Sequence, residues 1–424
     1  MKKIAKFALG ATLAVAGLAA AVWALNVRDE IDVKAPVAAA AASDTQIARG
    51  AYLARAGNCM ACHTARGGEN YAGGLPIATP FGTVFTSNLT PDDNTGIGSW
   101  SSAHFWRAMH NGRSKNGRLL YPAFPYPNYT QVTREDSDAI YAYLKSLPAV
   151  TQPNRPHALR FPYQSQAALA VWRALYFSPG VYQPEANRNA EWNRGAYLVK
   201  GLGHCSACHT ARNVLGASST DLDLAGGLIP MQNWYAPSLT SPHEAGVGDW
   251  DRLHIVSLLK NGVSPRASVT GPMAEVVLRS TQYLNDDDLG AMAQFLKELP
   301  AATPASSAAT PAFSSVKGAK LYELHCAQCH GDKGQGVPNA YPALAGNRAV
   351  TMQSTVNLVQ IVLNGGYAPA TQGNPRPYGM PPFVLVLNES DIAAVLTHIR
   401  GSWGNQASEV TPLEVSRMRA HQGK

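Results

Sequence analysis

The sequence predicts an all-α protein built from three tandem copies of one small helical unit, preceded by an N-terminal hydrophobic helix. Three observations carry that prediction. A Cys-x-x-Cys-His motif occurs at Cys59–His63, Cys205–His209 and Cys326–His330, and it uses all 6 cysteines. Capped amphipathic segments recur at matching distances from the motifs. Between them the chain is rich in Gly, Pro and Asn and shows little strand alternation. The size agrees, because 424 residues make two or three domains at about 150 residues each. Apolar residues at 46% and charged ones at 15% exclude a wholly disordered chain. A mean hydropathy of -0.14 excludes a polytopic membrane protein. The net charge is +7, but Lys and Arg form no basic run, so nucleic-acid binding gains no support.

At the N-terminus Lys2, Lys3 and Lys6 precede an uncharged run of 19 residues, Phe7–Leu25. As a helix this spans about 28 Å, close to the bilayer core. Residues 1–28 read either as an uncleaved anchor, with Trp23 at the outer interface, or as a signal peptide ending at the small residues Ala19–Ala21. Both readings export the remainder and keep the lysines inside. Residues 29–43, Ala-rich from 36 onward, read as a tether.

The first unit, 44–150, opens at the cap pair Ser43 and Gln46. It closes on a segment capped by Thr133, with Ile140, Leu144 and Leu147 on one face and Pro148 at its end. A connector, 151–189, holds five prolines around the apolar patch Ala167–Phe177, read as a short helix packed on its own domain or docking elsewhere. The second unit, 190–300, repeats the first. Arg194-Gly195-Ala196-Tyr197-Leu198 matches Arg49-Gly50-Ala51-Tyr52-Leu53, and Trp250 lies 11 residues before Asn261-Gly262 as Trp100 does before Asn111-Gly112. Its closing helix is capped by Asn285. An Ala/Ser/Thr/Pro linker, 301–315, leads to the more distant third unit, 316–404, which opens on Gly318–Tyr322 and closes on a helix capped by Asn388. A tail covers 405–424.

Cys-x-x-Cys-His is the attachment signature of c-type haem. Two thiols add across the porphyrin vinyl groups. Their spacing puts both sulfurs on one side of a helical turn, and the adjacent His meets the iron as proximal ligand. A zinc site would need further ligands for each motif, and a redox dithiol does not require the His that follows all three. The expected set is therefore three haem c, held by Cys59, Cys62, Cys205, Cys208, Cys326 and Cys329, with His63, His209 and His330 as proximal ligands. Met380 lies 50 residues after His330, and Met273 lies 64 after His209, each in a loop before a closing helix. Both read as distal thioether ligands, which raise the potential and close the iron. In the first unit Phe124 stands 13 residues after Asn111, where a Met is expected. Its sixth ligand stays open between a five-coordinate iron, His110 or His104, and Met109. The remaining histidines read as surface or hydrogen-bonded residues.

Over roughly residues 44–400 the chain resembles the three-haem cytochrome c subunits of bacterial membrane-bound dehydrogenases acting on alcohols, gluconate and related substrates. It is also similar to the cytochrome partners of molybdenum hydroxylases. The residues that carry this are Arg49–His63, Tyr121–Tyr126, Trp192–Thr210, Met273–Leu284 and the Met380 loop. The resemblance implies three tandem cytochrome c-type domains in an electron-transfer subunit on the periplasmic side of the inner membrane. Electrons would pass from a partner dehydrogenase subunit carrying flavin, quinone or molybdenum to ubiquinone or another respiratory acceptor. The family's first distal Met falls on Phe124, so that role does not transfer. No catalytic acid–base pair, nucleophile or nucleotide loop stands out. The alternative is a self-contained haem enzyme or a ligand-binding protein working at an open first haem.

Overall fold

The computed structural model describes residues 2–28, 30, 33, 42–219, 221–302 and 315–420. Most of the expected tether and linker lies outside them, as does His421. The first helix, α1 (Lys2–Val27), is long and apolar enough to cross a membrane, with mean hydropathy 2.0 over its best window. The first unit holds α2 (Asp44–Ala56), α3 (Cys59–Cys62), strands β1 (Pro76–Thr79) and β2 (Gly82–Phe85), α4 (Ser102–Asn111), α5 (Tyr126–Tyr129) and α6 (Arg134–Ser146). The connector adds β3 (Ala158–Leu159) and α7 (Gln166–Tyr176). The second unit holds α8 (Ala190–Ala196), which runs on into a π-helical turn at Tyr197–Leu202, then α9 (Ser206–His209), β4 (Gly227–Ile229), β5 (Trp234–Ala236), α10 (Arg252–Asn261), α11 (Gly271–Arg279) and α12 (Asp286–Lys297). The third holds α13 (Val316–His325), α14 (Ala327–His330), α15 (Arg348–Thr351), α16 (Val356–Asn364), β6 (Gly366–Tyr367), β7 (Gly379–Met380), α17 (Glu389–Arg400) and α18 (Pro412–Ala420).

The helix starts lie where the sequence puts them. Ser43, Thr133, Asn285 and Asn388 each accept a backbone N–H from the third residue on. At Ser43 only that half of the expected capping box forms, whereas Asn388 and Asp391 close a complete one. The all-α expectation needs amending, because short antiparallel strands form between the helices: β1-β2-β3, β4-β5 and β6-β7. In each unit a loop leaves the motif and returns alongside itself. Pairing the two passes satisfies backbone groups that no helix serves.

One helix crossing recurs in all three units: α2 on α6, α8 on α12, and α13 on α17. At each, a glycine lies against the facing backbone. A Cβ on Gly50 would stand 1.9 Å from Ala139 O, on Gly195 2.0 Å from Ala291 O, and on Gly318 2.4 Å from Ala394 O. Only a residue without a Cβ lets the helices approach this closely. The substitution G195A must push α8 off α12, with an expected cost of about 3 kcal/mol, the upper end for overpacking. Urea unfolding of the holoprotein against wild type measures it.

The first two units pack through a reciprocal pair of clamps. Arg49 pairs with Asp136 at 2.5 Å, and the other carboxylate oxygen of Asp136 accepts from Tyr197 OH at 2.6 Å. Arg194 pairs with Asp288 at 2.7 Å, and Asp288 accepts from Tyr52 OH at 2.6 Å. Each tyrosine thus reaches across to the carboxylate that the other unit holds for itself, as two-fold-like packing of duplicated halves requires. One continuous hydrophobic core includes Leu53, Ile140, Leu198 and Leu289 of both units, while the third unit has its own around Val359, Leu363 and Leu396. That unit docks on the second. Arg348 bonds Gly246 O and Asp249, and the Asn357 side chain bonds both backbone groups of Tyr235.

Candidate haem-attachment sites

Each motif forms one helical turn at the end of its unit's opening helix, through α3, α9 and α14. The cysteines are half-buried, except Cys62 and Cys208, which are exposed. Burial pushes the Cys59 and Cys205 thiols up to about 12 and Cys326 to about 11. Redox dithiols and zinc sites need the thiolate, and these surroundings disfavour it. Among the described residues no group of three His, Cys, Asp or Glu is placed to share a metal ion. A thioether carries no charge and suits the same apolar surroundings.

The three motif histidines share one geometry. His63 Nδ1 lies 2.7 Å from Ser87 O, His209 Nδ1 2.7 Å from Pro237 O, and His330 Nδ1 2.9 Å from Pro342 O. A carbonyl oxygen only accepts, so each Nδ1 carries the proton and each Nε2 keeps a free lone pair. Burial lowers the pKa of all three, against the backbone bond that raises it, and so favours the neutral ring that ligation needs. The three carbonyl partners come from the return pass of each loop. Sequence reading missed them because they contribute no side chain.

The loops opposite the motifs differ. Met273 sits on α11 and packs, half-buried, on the core that also touches Cys205. Met380 sits on β7, against the core that touches Cys326. In the first unit Phe124 packs against the core beside Cys59, with its ring 5.3 Å from Tyr129. The other candidates have local partners. His104 closes a capping box with Ser101. His110 places Nδ1 2.8 Å from Thr130 O and stacks on Trp106 at 4.5 Å. Met109 is buried at 4%, at the position that Leu259 and Val362 fill in the other units.

The first two motifs lie against each other. Tyr129 OH bonds Gly57 O, two residues before Cys59, and its ring meets His204, the neighbour of Cys205, at 5.4 Å. Asn128 bonds Ser206 Oγ at 2.7 Å, inside the second motif. Beyond Met273, Ala274, Glu275 and Leu278 of α11 form one wall of a largely apolar groove of about 420 Å³, whose other wall includes Tyr367, Ala368 and Pro369. Tyr367 pairs with Gly379, next to Met380. The loops carrying Met273 and Met380 therefore approach this groove from opposite sides.

A sequence model of the cytochrome c family matches residues 47–148 and 315–403. The chain is 39% identical over 398 residues to the cytochrome c subunit of alcohol dehydrogenase (quinone) of Gluconacetobacter polyoxogenes, covering 89% of this chain and 85% of the relative. It is 39% identical over 409 residues to the gluconate 2-dehydrogenase cytochrome c subunit of Pantoea cypripedii, covering 90% and 92%. The chain belongs to the family of dehydrogenase cytochrome c subunits. A third member, the fructose dehydrogenase cytochrome subunit of Gluconobacter japonicus, is 34% identical over 412 residues, with 90% and 84% covered.

A cytochrome c holds haem covalently, and the residues fit that group. The thiol pairs are uncharged, the imidazoles are neutral with Nε2 free, and Trp250 Nε1 is a buried donor without a protein acceptor. An acceptor on a bound group, such as a porphyrin carboxylate, would satisfy that donor. The cytochrome c family model ends at 148 and resumes at 315, so the second motif rests on its own geometry, which repeats that of the first.

Proposed function

We propose that this cytochrome c subunit carries three covalent haems and relays electrons from a catalytic dehydrogenase subunit to ubiquinone or another respiratory acceptor. The observation that carries the reading is the threefold repeat of one arrangement: two cysteines on a helical turn, then a histidine whose Nδ1 is tied to a backbone carbonyl. Bound haem supplies a one-electron iron couple whose potential the axial ligands and burial tune. Cys59 and Cys62, Cys205 and Cys208, and Cys326 and Cys329 fasten it. His63, His209 and His330 are the proximal ligands, and Met273 and Met380 the distal ones. The Ser87, Pro237 and Pro342 carbonyls hold the imidazoles in one orientation. The three units, 44–150, 190–300 and 316–404, are cytochrome c-type domains. The contacts of Tyr129 and Asn128 with the second motif, and of the third unit with α10 and α11, keep them at fixed separations. The relatives' names support a catalytic partner.

In the first unit no thioether takes the distal place. His104 and His110 are engaged locally, Met109 is a core residue, and Phe124 occupies the ligand position, so this iron is five-coordinate. That favours one narrower second reading, small-ligand binding at the first haem beside electron transfer. The helix α1 anchors the chain in the inner membrane, lysines inward, and leaves the haem units on the periplasmic side.

The purified protein keeps its colour through acid–acetone extraction, and intact mass shows three haems. The double substitution C205A/C208A lowers the haem absorbance per chain by about one third. A colourless protein, or pigment that extracts, overturns the reading. Recovery from membranes with a stoichiometric large subunit tests the partner.

A further inference from the structure

The end of α1 is built into the body of the protein. Asn26 is buried. Its Nδ2 donates to Ala170 O at 2.9 Å, and its Oδ1 accepts from Arg173 Nε at 2.9 Å. Arg28 donates to Phe177 O and Ser178 Oγ, and Arg113 donates to Asn26 O. Glu30 pairs with Arg113 at 2.9 Å. The chain therefore leaves α1 in a set position beside α7.

The polarity of α7 is inverted for a surface helix. Its single charged residue, Arg173, is buried together with Leu169, while Val171, Leu175 and Tyr176 are exposed. A helix facing water puts its charges outward. The apolar surface continues on both sides. Phe161 is 83% exposed in the loop before α7. Val214, 93% exposed, and Leu215 lie on a hairpin of the second unit that touches α7 where Trp172 Nε1 donates to Leu215 O at 2.9 Å. Three segments far apart in sequence thus bring aliphatic and aromatic side chains together around the exit of one apolar helix.

We propose that this surface is a membrane seat: α7, Phe161 and the Val214-Leu215 hairpin rest in the interfacial layer of the bilayer that α1 crosses. The inference builds on the anchor reading above and goes beyond it. Lipid is the occupant because the patch is continuous with α1, whose exposed side chains from Phe7 to Leu18 demand hydrocarbon, and because the hydrogen bonds of Asn26 and Arg28 bring α7 to the level where α1 leaves it. An uncharged helix face edged by Trp172 and Tyr176 suits the boundary between headgroups and acyl chains. Seated this way, the first two haem units hold one orientation to the membrane and do not swing on a tether.

The test uses the full-length holoprotein in phosphatidylcholine–phosphatidylglycerol vesicles containing a phosphatidylcholine with an acyl-chain diazirine. After illumination, lipid adducts are mapped by peptide mass. Adducts are expected in α1, in 161–177 and in 213–216, and none in α10, whose Leu253 is exposed but remote from the patch. The substitution V171S/L175S abolishes adducts in α7 and leaves those in α1. Adducts in α1 without any in 161–177 or 213–216 overturn the seat, keep the anchor and leave the apolar face to a protein partner. Absence of adducts from α1 as well overturns the anchor reading, and the seat falls with it.

Discussion

The substitution F124M converts the first haem from an open to a closed site. Wild-type ferric protein shows a near-infrared methionine–iron band sized for two of three haems, and reduced protein binds one carbon monoxide per chain. In F124M the band grows by about half and carbon monoxide binding is lost, because a thioether then fills the sixth position and raises the potential. The expectation rests on the position of Phe124, packed beside Cys59 in the loop that holds Met273 and Met380 in the other units. Controls separate the rivals. M109L leaves the wild-type band unchanged if Met109 is a core residue, as Leu259 is. H110A leaves carbon monoxide stoichiometry at one per chain if His110 serves Thr130 and Trp106 alone. A band that shrinks in M109L, or a second carbon monoxide bound in H110A, refutes the five-coordinate assignment.

The substitution D288A has the largest expected effect on stability. The Asp288 carboxylate, 9% exposed, meets Arg194 through two oxygens and takes the hydroxyl of Tyr52 from the first unit. Removing it strands a partly buried guanidinium and a phenol. The cost is about 3 kcal/mol, at the low end for a broken buried pair because Arg194 keeps some solvent. Urea unfolding of the holoprotein measures it. Desolvation pushes the Asp288 carboxyl up, but Arg194 and Tyr52 outweigh it and hold the pKa below the ordinary value. A group depressed on folding stabilises above its unfolded pKa. The contribution is therefore present at neutral pH and is lost as pH falls below 3.8. D288N, which cannot titrate, loses less stability over that acid range. Equal acid losses in both proteins would remove Asp288 from the account.

Much of the fold was legible because it is local. A cap residue acts on the N–H groups of the next three residues, so Thr133, Asn285 and Asn388 mark helix starts without reference to the rest of the molecule. The clamps were half legible. Tyr52 and Tyr197 stand in the repeated segments, and Asp136 and Asp288 each follow a cap by three residues. Nothing in either stretch says that the tyrosine of one unit binds the aspartate of the other. The short strands escaped notice because two-residue pairings have no periodicity to read.

The sequence by itself determined the chemistry of attachment, the number of repeated units and the helices that frame them, since each depends on residues only a few positions apart. Tertiary structure decided which carbonyls orient the motif histidines, which unit each tyrosine serves, and which face of α7 looks outward. Those outcomes depend on contacts between segments 12 to 236 residues apart, such as His330 with Pro342 and Tyr52 with Asp288. Only the packed chain brings those atoms within hydrogen-bonding distance.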